Sequence, residues 1–219
     1  MKKKMHQKIN SCRICKSKSL NLILNLGKQP PANSLIKSLK DKINKVPLRL
    51  VMCNHCKTLQ IEHTVDPSYL FTNYFWVTGT SKEIKKYSKF FFKQIYKRIK
   101  NFDKKFIVEI ASNDGTILKE FKLSNFKVLG IDPAKNIAQI ANRKKIKTIP
   151  SFFNSNLARN IIKNERQKPI CLIARNIIPH ISNIHDVIKG IELLLDEEGI
   201  GVIEFHHNQN IIKELHYDY

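Results

Sequence analysis

From residue 106 onward the chain alternates apolar strand-like runs with amphipathic helix-like runs, and this alternation restricts the possible folds more than any other feature. The strand-like runs begin at residues 106, 127, 147, 170 and 199. Such alternation is typical of right-handed βαβ units, in which helices cover both faces of a parallel sheet. The sequence therefore predicts an α/β domain with a mostly parallel sheet over residues 105–219.

Four of the five cysteines form two CxxC pairs ahead of this domain, Cys12 with Cys15 and Cys53 with Cys56. Two CxxC turns can bring four thiolates to one tetrahedral Zn²⁺, and an all-cysteine site leaves no open position for catalysis. A module of this size needs such a staple because its own core is small. We therefore predict a structural zinc module over residues 11–62, with free thiols or disulfides as the alternatives. The fifth, Cys171, is predicted to be an inert core thiol.

The remaining segments are a basic lead-in, residues 1–10, and an aromatic linker with an amphipathic helix, residues 63–104. The formal net charge of +21 makes nucleic acid a candidate partner. The basic residues are spread along the chain and are mostly lysines, which disfavours direct reading of bases. No apolar run reaches the roughly 20 residues of a membrane span, and no apolar stretch follows the basic N-terminus. A cytoplasmic location is expected.

Acidic and amide side chains lie where the predicted strands end. Glu109 interrupts the apolar strand FIVEIA, and Asp132 ends the next strand. A buried charge is costly, so Glu109 either is wet at the strand's rim or faces a ligand's positive group. The turn ASNDG contains Asn113 and Gly115, which can adopt positive φ. Because ligands of doubly wound sheets bind outside the carboxyl ends of the strands, we predict a binding site here.

The turn ASNDG argues against a dinucleotide, because it lacks the GxGxxG pattern that lets a pyrophosphate approach. An adenosine ligand without phosphates fits better. Asp132 can bind both ribose hydroxyls. The cationic amino and sulfonium groups of S-adenosylmethionine would account for an acidic residue, Glu109, in an apolar strand. The predicted cofactor-binding residues are Glu109, Ala111, Asn113, Gly115, Asp132, Pro133 and Asn176.

Several segments together resemble the zinc-containing NDP-sugar C-methyltransferases that modify deoxysugars. They include CRIC, LNLGKQPPAN, PLRLVMCNHCKTLQ, VEIASNDGTILKEFK and ARNIIPHISNIHDVIKGIELLL. The resemblance runs from about residue 12 to the chain end. It implies a Rossmann-like class I methyltransferase sheet and methyl transfer from S-adenosylmethionine to a carbon beside the ketone of a nucleotide-linked 4-keto sugar. It also implies catalytic roles for a histidine after the fourth strand, matched by His180, and for a tyrosine in the aromatic segment, matched by Tyr74.

The chain departs from the family pattern in three ways. Ala111 stands where the family usually has glycine, and Tyr74-Phe75-Trp76 replaces a tyrosine-x-tyrosine pattern. The family also continues into a tyrosine-histidine-glutamate-histidine motif, whereas this sequence stops at LHYDY. We therefore expect a truncated sheet with an open edge at strand 199–207, and a chain that is incomplete for catalysis unless a downstream chain complements it. A zinc-ribbon nucleic-acid-binding protein and an RNA methyltransferase stay open as alternatives.

Overall fold

The computed structural model describes residues 5–32, 35–36, 38 and 40–214, without the side chains of residues 208 and 212. Residues 1–4 of the lead-in, Asn33 of the segment LNLGKQPPAN and the final LHYDY lie outside the described residues. The chain divides into two compact units. One contains the residues up to Trp76 together with Ser182–His185, and the other contains Val77–Ile181 and the residues from Asp186 onward.

The first unit consists of short antiparallel sheets. Strand β1 (His6–Lys8) pairs with β5 (His63–Val65), while β2 (Leu20–Gln29), β3 (Val46–Cys53) and β4 (Leu59–Ile61) form a meander in the order β2-β3-β4. Helix α1 (Pro67–Phe71) follows. Most of β2 is exposed, and Val46 and Val51 are among the few buried aliphatic side chains. A core this thin agrees with the expectation that the unit needs a staple.

The second unit is a parallel α/β sheet preceded by a helix. Its helices are α2 (Lys82–Ile99), α3 (Thr116–Leu123), α4 (Lys135–Arg143), α5 (Ser155–Glu165), α6 (Ile184–Leu194) and α7 (Asn208–Lys213), and only the first two residues of α6 are counted with the first unit. Its strands are β6 (Phe106–Ile110), β7 (Lys127–Ile131), β8 (Thr148–Ile149), β9 (Cys171–Arg175) and β10 (Ile200–Glu204). The strand order is β10-β9-β6-β7-β8, and every pairing is parallel. The predicted α/β class is confirmed.

Helix α2 shows how the sequence encodes one layer of this unit. The Ser81 hydroxyl accepts a hydrogen bond from the N–H of Ile84, which caps the helix. Phe91, Ile95 and Ile99 recur at four-residue spacing and are buried, so they form the stripe that packs on the sheet. The lysines between them lie on the outer face. The predicted amphipathic helix over residues 82–100 is confirmed.

Helices cover both faces of the sheet, so its central strands β6 and β9 are largely apolar. On one face, α2 and α3 pack on Ile107 and Ile173; on the other, α5 and α6 pack on Val108 and Leu172. Because side chains alternate along a strand, Glu109 shares the face of Ile107. The charge therefore lies between β6 and the α2–α3 layer.

Strand β10 lies at the end of the sheet and, among the described residues, pairs with β9 alone. Ile203 and Phe205 at this edge are 44% and 58% exposed. Among the described residues, β10 is thus unpaired on one side and carries exposed apolar side chains there, as expected for an open edge at this strand. None of the described helices is long and apolar enough to cross a membrane.

Candidate functional site

The four paired cysteines converge in the first unit. The Sγ atoms of Cys12 and Cys56 are 3.6 Å apart, those of Cys15 and Cys53 are 3.5 Å apart, and all four lie within 4.8 Å of one another. Four thiolates at Zn–S distances of about 2.3 Å in a tetrahedron have sulfurs about 3.8 Å apart. No disulfide forms among them. The predicted ligands therefore fit a structural Zn²⁺.

Polar side chains surround these sulfurs and link them to the neighbouring strands. Gln60 Nε2 donates to Cys12 Sγ at 3.2 Å, and Gln60 Oε1 accepts from the backbone N–H of Arg13 at 3.1 Å. The Arg13 guanidinium donates to the carbonyl of Ile61. Hydrogen bonds from Thr58 lower the pKa of the Cys56 thiol to about 6, which favours the thiolate that a metal requires. Sequence reasoning missed Gln60 and Thr58, although both closely follow the second CxxC.

In the second unit, the turn after β6 is built from left-handed backbone. Ala111, Asn113 and Gly115 have φ of 56°, 48° and 75°. A Cβ at Gly115 would lie 2.7 Å from Ile146 Cγ2, so glycine is required there for space as well as conformation. Ala111 bears a Cβ in a left-handed conformation that glycine adopts more easily.

Asp132 follows β7 directly and ties its end to the neighbouring turn. Its Oδ2 accepts the N–H of Asn113 at 2.8 Å, and its Oδ1 accepts the N–H of Ala134 at 2.9 Å across Pro133. Burial raises the pKa of Asp132, while these two hydrogen bonds oppose the rise. Each carboxylate oxygen retains a lone pair, because a carboxylate accepts about four hydrogen bonds. Asp132 thus has acceptor capacity left for hydroxyl groups.

The Asp114 side chain is bound by neighbouring residues of the same unit. Its buried carboxylate is 2.5 Å from Lys144 Nζ and accepts hydrogen bonds from the Thr116 hydroxyl and the N–H of Gly79. Burial alone would raise the pKa of Asp114, but Lys144 and Thr116 outweigh it and the pKa is lowered. The N–H of Thr78 also donates to Asn113 Oδ1 at 2.9 Å. The segment after Val77 is therefore fastened to the turn after β6.

Glu109 is buried, with only 2% of its surface exposed. The interpretation of a wet residue at the strand's rim is therefore wrong, because the side chain lies inside the α2–α3 layer. Its Oε2 has no hydrogen-bond partner among the described residues. Burial raises the pKa of Glu109 to about 8, although Arg175 nearby lowers it. A buried carboxylate oxygen without a partner is costly, and a hydrogen-bond donor or a cation placed beside it would offset that cost.

Sequence reasoning missed a charged network beside Glu109. Arg175, the last residue of β9, donates from Nη2 to Glu204 Oε1 at 3.1 Å, and the Tyr87 hydroxyl donates to Glu204 Oε2. The guanidinium carbon lies 4.9 Å from the Tyr87 ring centroid and 5.2 Å from that of Phe91. The only signal in the sequence was an arginine directly after the buried run CLIA.

The other predicted residues lie as follows. Asn176 has φ 51°, and its N–H donates to the carbonyl of Glu204 at 2.8 Å. His180 ends a 3-10 turn and is exposed; partial desolvation and nearby His206 lower its pKa. Tyr74 belongs to the first unit, where it is half-buried beside Phe71 and Phe75. The ends of β6, β7 and β9 thus bring the predicted cofactor residues to one edge of the sheet.

Comparisons with known proteins match both units. Residues 12–71 match the family model Methyltransf_13, described as "Putative zinc binding domain". The C-methyltransferase NovU of Streptomyces niveus is 27% identical over 212 residues, which are 96% of this chain and 50% of NovU. The chain therefore spans about half the length of this curated relative.

Two solved structures show weaker similarity. The PH0226 protein of Pyrococcus horikoshii OT3 has a TM-score of 0.49 and 14% identity, and covers 70% of this chain and 65% of its own. The plantazolicin methyltransferase BpumL, solved with SAH, has a TM-score of 0.46 and 16% identity. The match covers 60% of this chain and 50% of BpumL. The matched zinc-binding domain and the similarity to NovU support the resemblance of this chain to zinc-containing C-methyltransferases.

Proposed function

We propose that this chain binds S-adenosylmethionine and serves in methylating a carbon beside the ketone of a nucleotide-linked 4-keto deoxysugar. One observation carries the proposal. Glu109 is buried with an unpartnered carboxylate oxygen, and the end of its strand adjoins Asp132, whose oxygens can accept further hydrogen bonds. A ligand that offers a cation to Glu109 and a pair of hydroxyls to Asp132 matches this arrangement. The ammonium and ribose of S-adenosylmethionine meet both requirements.

The turn between these two acids supports the same ligand. Its left-handed residues Ala111, Asn113 and Gly115 bend the backbone sharply between β6 and α3. Asn113 and Asp114 are held by Thr78, Gly79 and Lys144, so the turn is fixed before a ligand arrives. A fixed site loses less conformational entropy on binding. The residues proposed to line it are Glu109, Ala111, Asn113, Gly115, Asp132, Pro133 and Asn176.

S-adenosylmethionine, when bound, supplies an electrophilic methyl group. The protein must then remove a proton beside the ketone and stabilise the enolate oxygen. His180 suits the first task, because its lowered pKa keeps the imidazole neutral and able to accept a proton near pH 7. The Tyr74 hydroxyl suits the second task as a donor to the ketone oxygen. Both roles rest on the family resemblance, as does the sugar; the name of NovU supports C-methylation.

We further propose that these residues bind the cofactor but need additional polypeptide for turnover. The open edge of β10, with Ile203 and Phe205 exposed, favours the addition of another strand. A polypeptide like the unmatched half of NovU is the proposed partner, whether it continues this chain or is separate. Without such a partner polypeptide, the 219-residue chain is expected to transfer no methyl group to a keto sugar.

Calorimetry tests the cofactor proposal. S-adenosylhomocysteine is titrated into the zinc-loaded chain, and Asp132→Ala serves as the comparison. One-to-one binding that is lost in the variant supports the proposal. A folded chain that binds no S-adenosylhomocysteine, and instead binds oligonucleotides with a steep salt dependence, favours the nucleic-acid alternative. Methyl transfer from labelled S-adenosylmethionine to the keto sugar then tests the substrate, and turnover by this chain alone contradicts the need for a partner.

A further inference from the structure

We infer that Arg175 binds the carboxylate of the ligand's amino-acid part, so that Arg175 and Glu109 together select ligands with a zwitterionic amino-acid head. This inference rests on the proposed function. It assigns a specificity-determining role to a residue outside the predicted cofactor set, and it extends the site from the adenosine end to the amino-acid end.

The two side chains lie on one face of neighbouring strands. Glu109 of β6 is the Cα partner of Ile173 in β9, and Arg175 follows two residues later, so both side chains point into the α2–α3 layer. Arg175 acts electrostatically on Glu109, because it lowers the pKa of that carboxyl. Opposite charges therefore lie close together where two parallel strands end.

Each side chain has an unused polar atom. Glu109 Oε2 and Arg175 Nε are both buried and have no hydrogen-bond partner among the described residues. A buried polar atom without a partner costs free energy, and one that belongs to a charged group costs more. A ligand with an ammonium and a carboxylate on the same carbon supplies a donor for Glu109 and an acceptor for Arg175. It satisfies both atoms at once.

The surroundings of Arg175 orient its guanidinium without using all of its donors. The guanidinium carbon lies over the rings of Tyr87 and Phe91, and these cation–π contacts hold the guanidinium in place. Glu204 accepts one hydrogen bond from Nη2, and the same carboxylate also accepts from Tyr87 and Asn176. Since a guanidinium carries five N–H groups, donors are left for a second carboxylate. A fixed planar fork is well suited to recognise that carboxylate.

The charges of this cluster also favour a zwitterion. When Glu109 is ionised, Glu109 and Glu204 carry two negative charges against the single positive charge of Arg175. An ammonium beside Glu109 compensates the excess, while the attached carboxylate is drawn to Arg175. An adenosine thioether without the amino-acid part leaves both atoms unsatisfied, and we expect it to bind more weakly.

The test compares two ligands that differ only in this part. Calorimetry measures the dissociation constants of S-adenosylhomocysteine and 5′-methylthioadenosine for the zinc-loaded chain and for Arg175→Met. We expect the variant to weaken S-adenosylhomocysteine binding by about 10- to 100-fold, as for a lost charge-assisted hydrogen bond, and methylthioadenosine binding by less than about 2-fold. Arg159→Met is the matched control, because Arg159 is exposed on α5, and it should change neither constant.

The outcomes separate the inference from the proposed function. If Arg175→Met weakens both ligands equally, or neither, while both still bind, the inference is wrong and the cofactor proposal stands. If the unmodified folded chain binds neither ligand, the cofactor proposal fails and the inference fails with it. Arg175→Met removes the partner of Glu204, so thermal unfolding is measured first. If that variant does not fold, Arg175→Lys is tested instead, because it keeps the charge but lacks the planar fork. Its dissociation constants for the two ligands are compared with those of the unmodified chain in the same way.

Discussion

Asp132 Oδ2 accepts a hydrogen bond from the backbone N–H of Asn113 at 2.8 Å, and this bond joins the end of β7 to the turn after β6. Asp132→Asn should weaken it, because an amide has one acceptor oxygen where the carboxylate has two. We expect the free energy of unfolding to fall by about 1–2 kcal/mol. Binding of S-adenosylhomocysteine should weaken at least about 10-fold, since a ribose hydroxyl also loses an acceptor. Urea unfolding and calorimetry measure the two effects.

Asp103→Asn is the control for this change, because Asp103 is exposed in the loop before β6. It should alter neither the unfolding free energy nor the dissociation constant. A normal affinity for S-adenosylhomocysteine in folded Asp132→Asn would show that Asp132 only holds the turn in place and does not bind the ligand.

The burial of Glu109 should give the folded chain an unusual dependence of stability on pH. The pKa of this carboxyl rises from an ordinary value of 4.5 to about 8 in the folded chain. The folded state therefore holds its proton more tightly than the unfolded state, and stability is lost as pH rises from about 4.5 to about 8. Glu109→Gln removes this loss. In this window we expect the unfolding free energy of the unmodified chain to fall with pH, while that of Glu109→Gln does not. The difference between the two proteins should therefore grow by on the order of 1 kcal/mol per pH unit.

Urea unfolding of both proteins across this pH window measures the difference. Glu197→Gln is the control, because Glu197 is exposed between α6 and β10, and its difference from the unmodified chain should not change with pH. Parallel stability curves for Glu109→Gln and the unmodified chain would mean that Glu109 is ionised and compensated in the folded state.

The sequence predicts the second unit well because its pattern is simple. Strands such as β6 and β9 are buried on both faces, so each is a short apolar run between helices of regular period. Strand β2 was not predicted, because its side chains are exposed and its apolar residues have no core partner that sets a pattern. Helix α7 was not predicted either, since six residues carry too little periodicity.

The candidate site was predictable where it is local. Asp132 and Gly115 act through neighbours in one turn or across adjacent strands, and a strand end identifies them. The Arg175 network was not predictable, because Glu204 lies 29 residues from Arg175 and 117 from Tyr87. These contacts exist only because the strand order places β10 beside β9. Burial of Glu109 likewise depends on α2, which precedes the strand and covers its face.

Lys144 and Asp114 form an ion pair that should show coupling in a double-mutant cycle. Asp114 is fully buried, whereas the Lys144 side chain keeps 47% of its exposure. Lys144→Met leaves the carboxylate without its counter-charge, and Asp114→Asn removes the charge itself. We expect the double variant to lose less stability than the sum of the single variants, by about 1 kcal/mol, since solvent screens the exposed lysine. Urea unfolding of the four proteins measures this coupling.

Lys119→Met is the control for the cycle, because Lys119 is exposed on α3 and no described ion pair involves it. Combined with Asp114→Asn, it should be additive. Additive losses for Lys144 as well would show that the buried carboxylate is stabilised by Thr116 and Gly79 alone.

Gln60 should determine how tightly the first unit holds its metal. Its side chain donates to Cys12 Sγ and accepts from Arg13, so it both compensates thiolate charge and fixes the first CxxC turn. Gln60→Leu keeps the approximate volume and removes the hydrogen bond to Cys12 and the two from Arg13. Loss of such a supporting contact typically costs 10- to 100-fold in metal affinity, and we expect a decrease of about 10-fold for Zn²⁺ in competition with a chromophoric chelator.

Gln7→Leu makes the same chemical change at an exposed position of β1, and its zinc affinity should match that of the unmodified chain. Full removal of zinc should lower the unfolding temperature of the first unit, because its four thiolates then repel one another and its apolar core is thin. Equal zinc affinities for Gln60→Leu and Gln7→Leu would mean that the four cysteines hold the metal without help from Gln60. A decrease confined to Gln60→Leu would instead show that strand β4 contributes to the metal site through this one side chain.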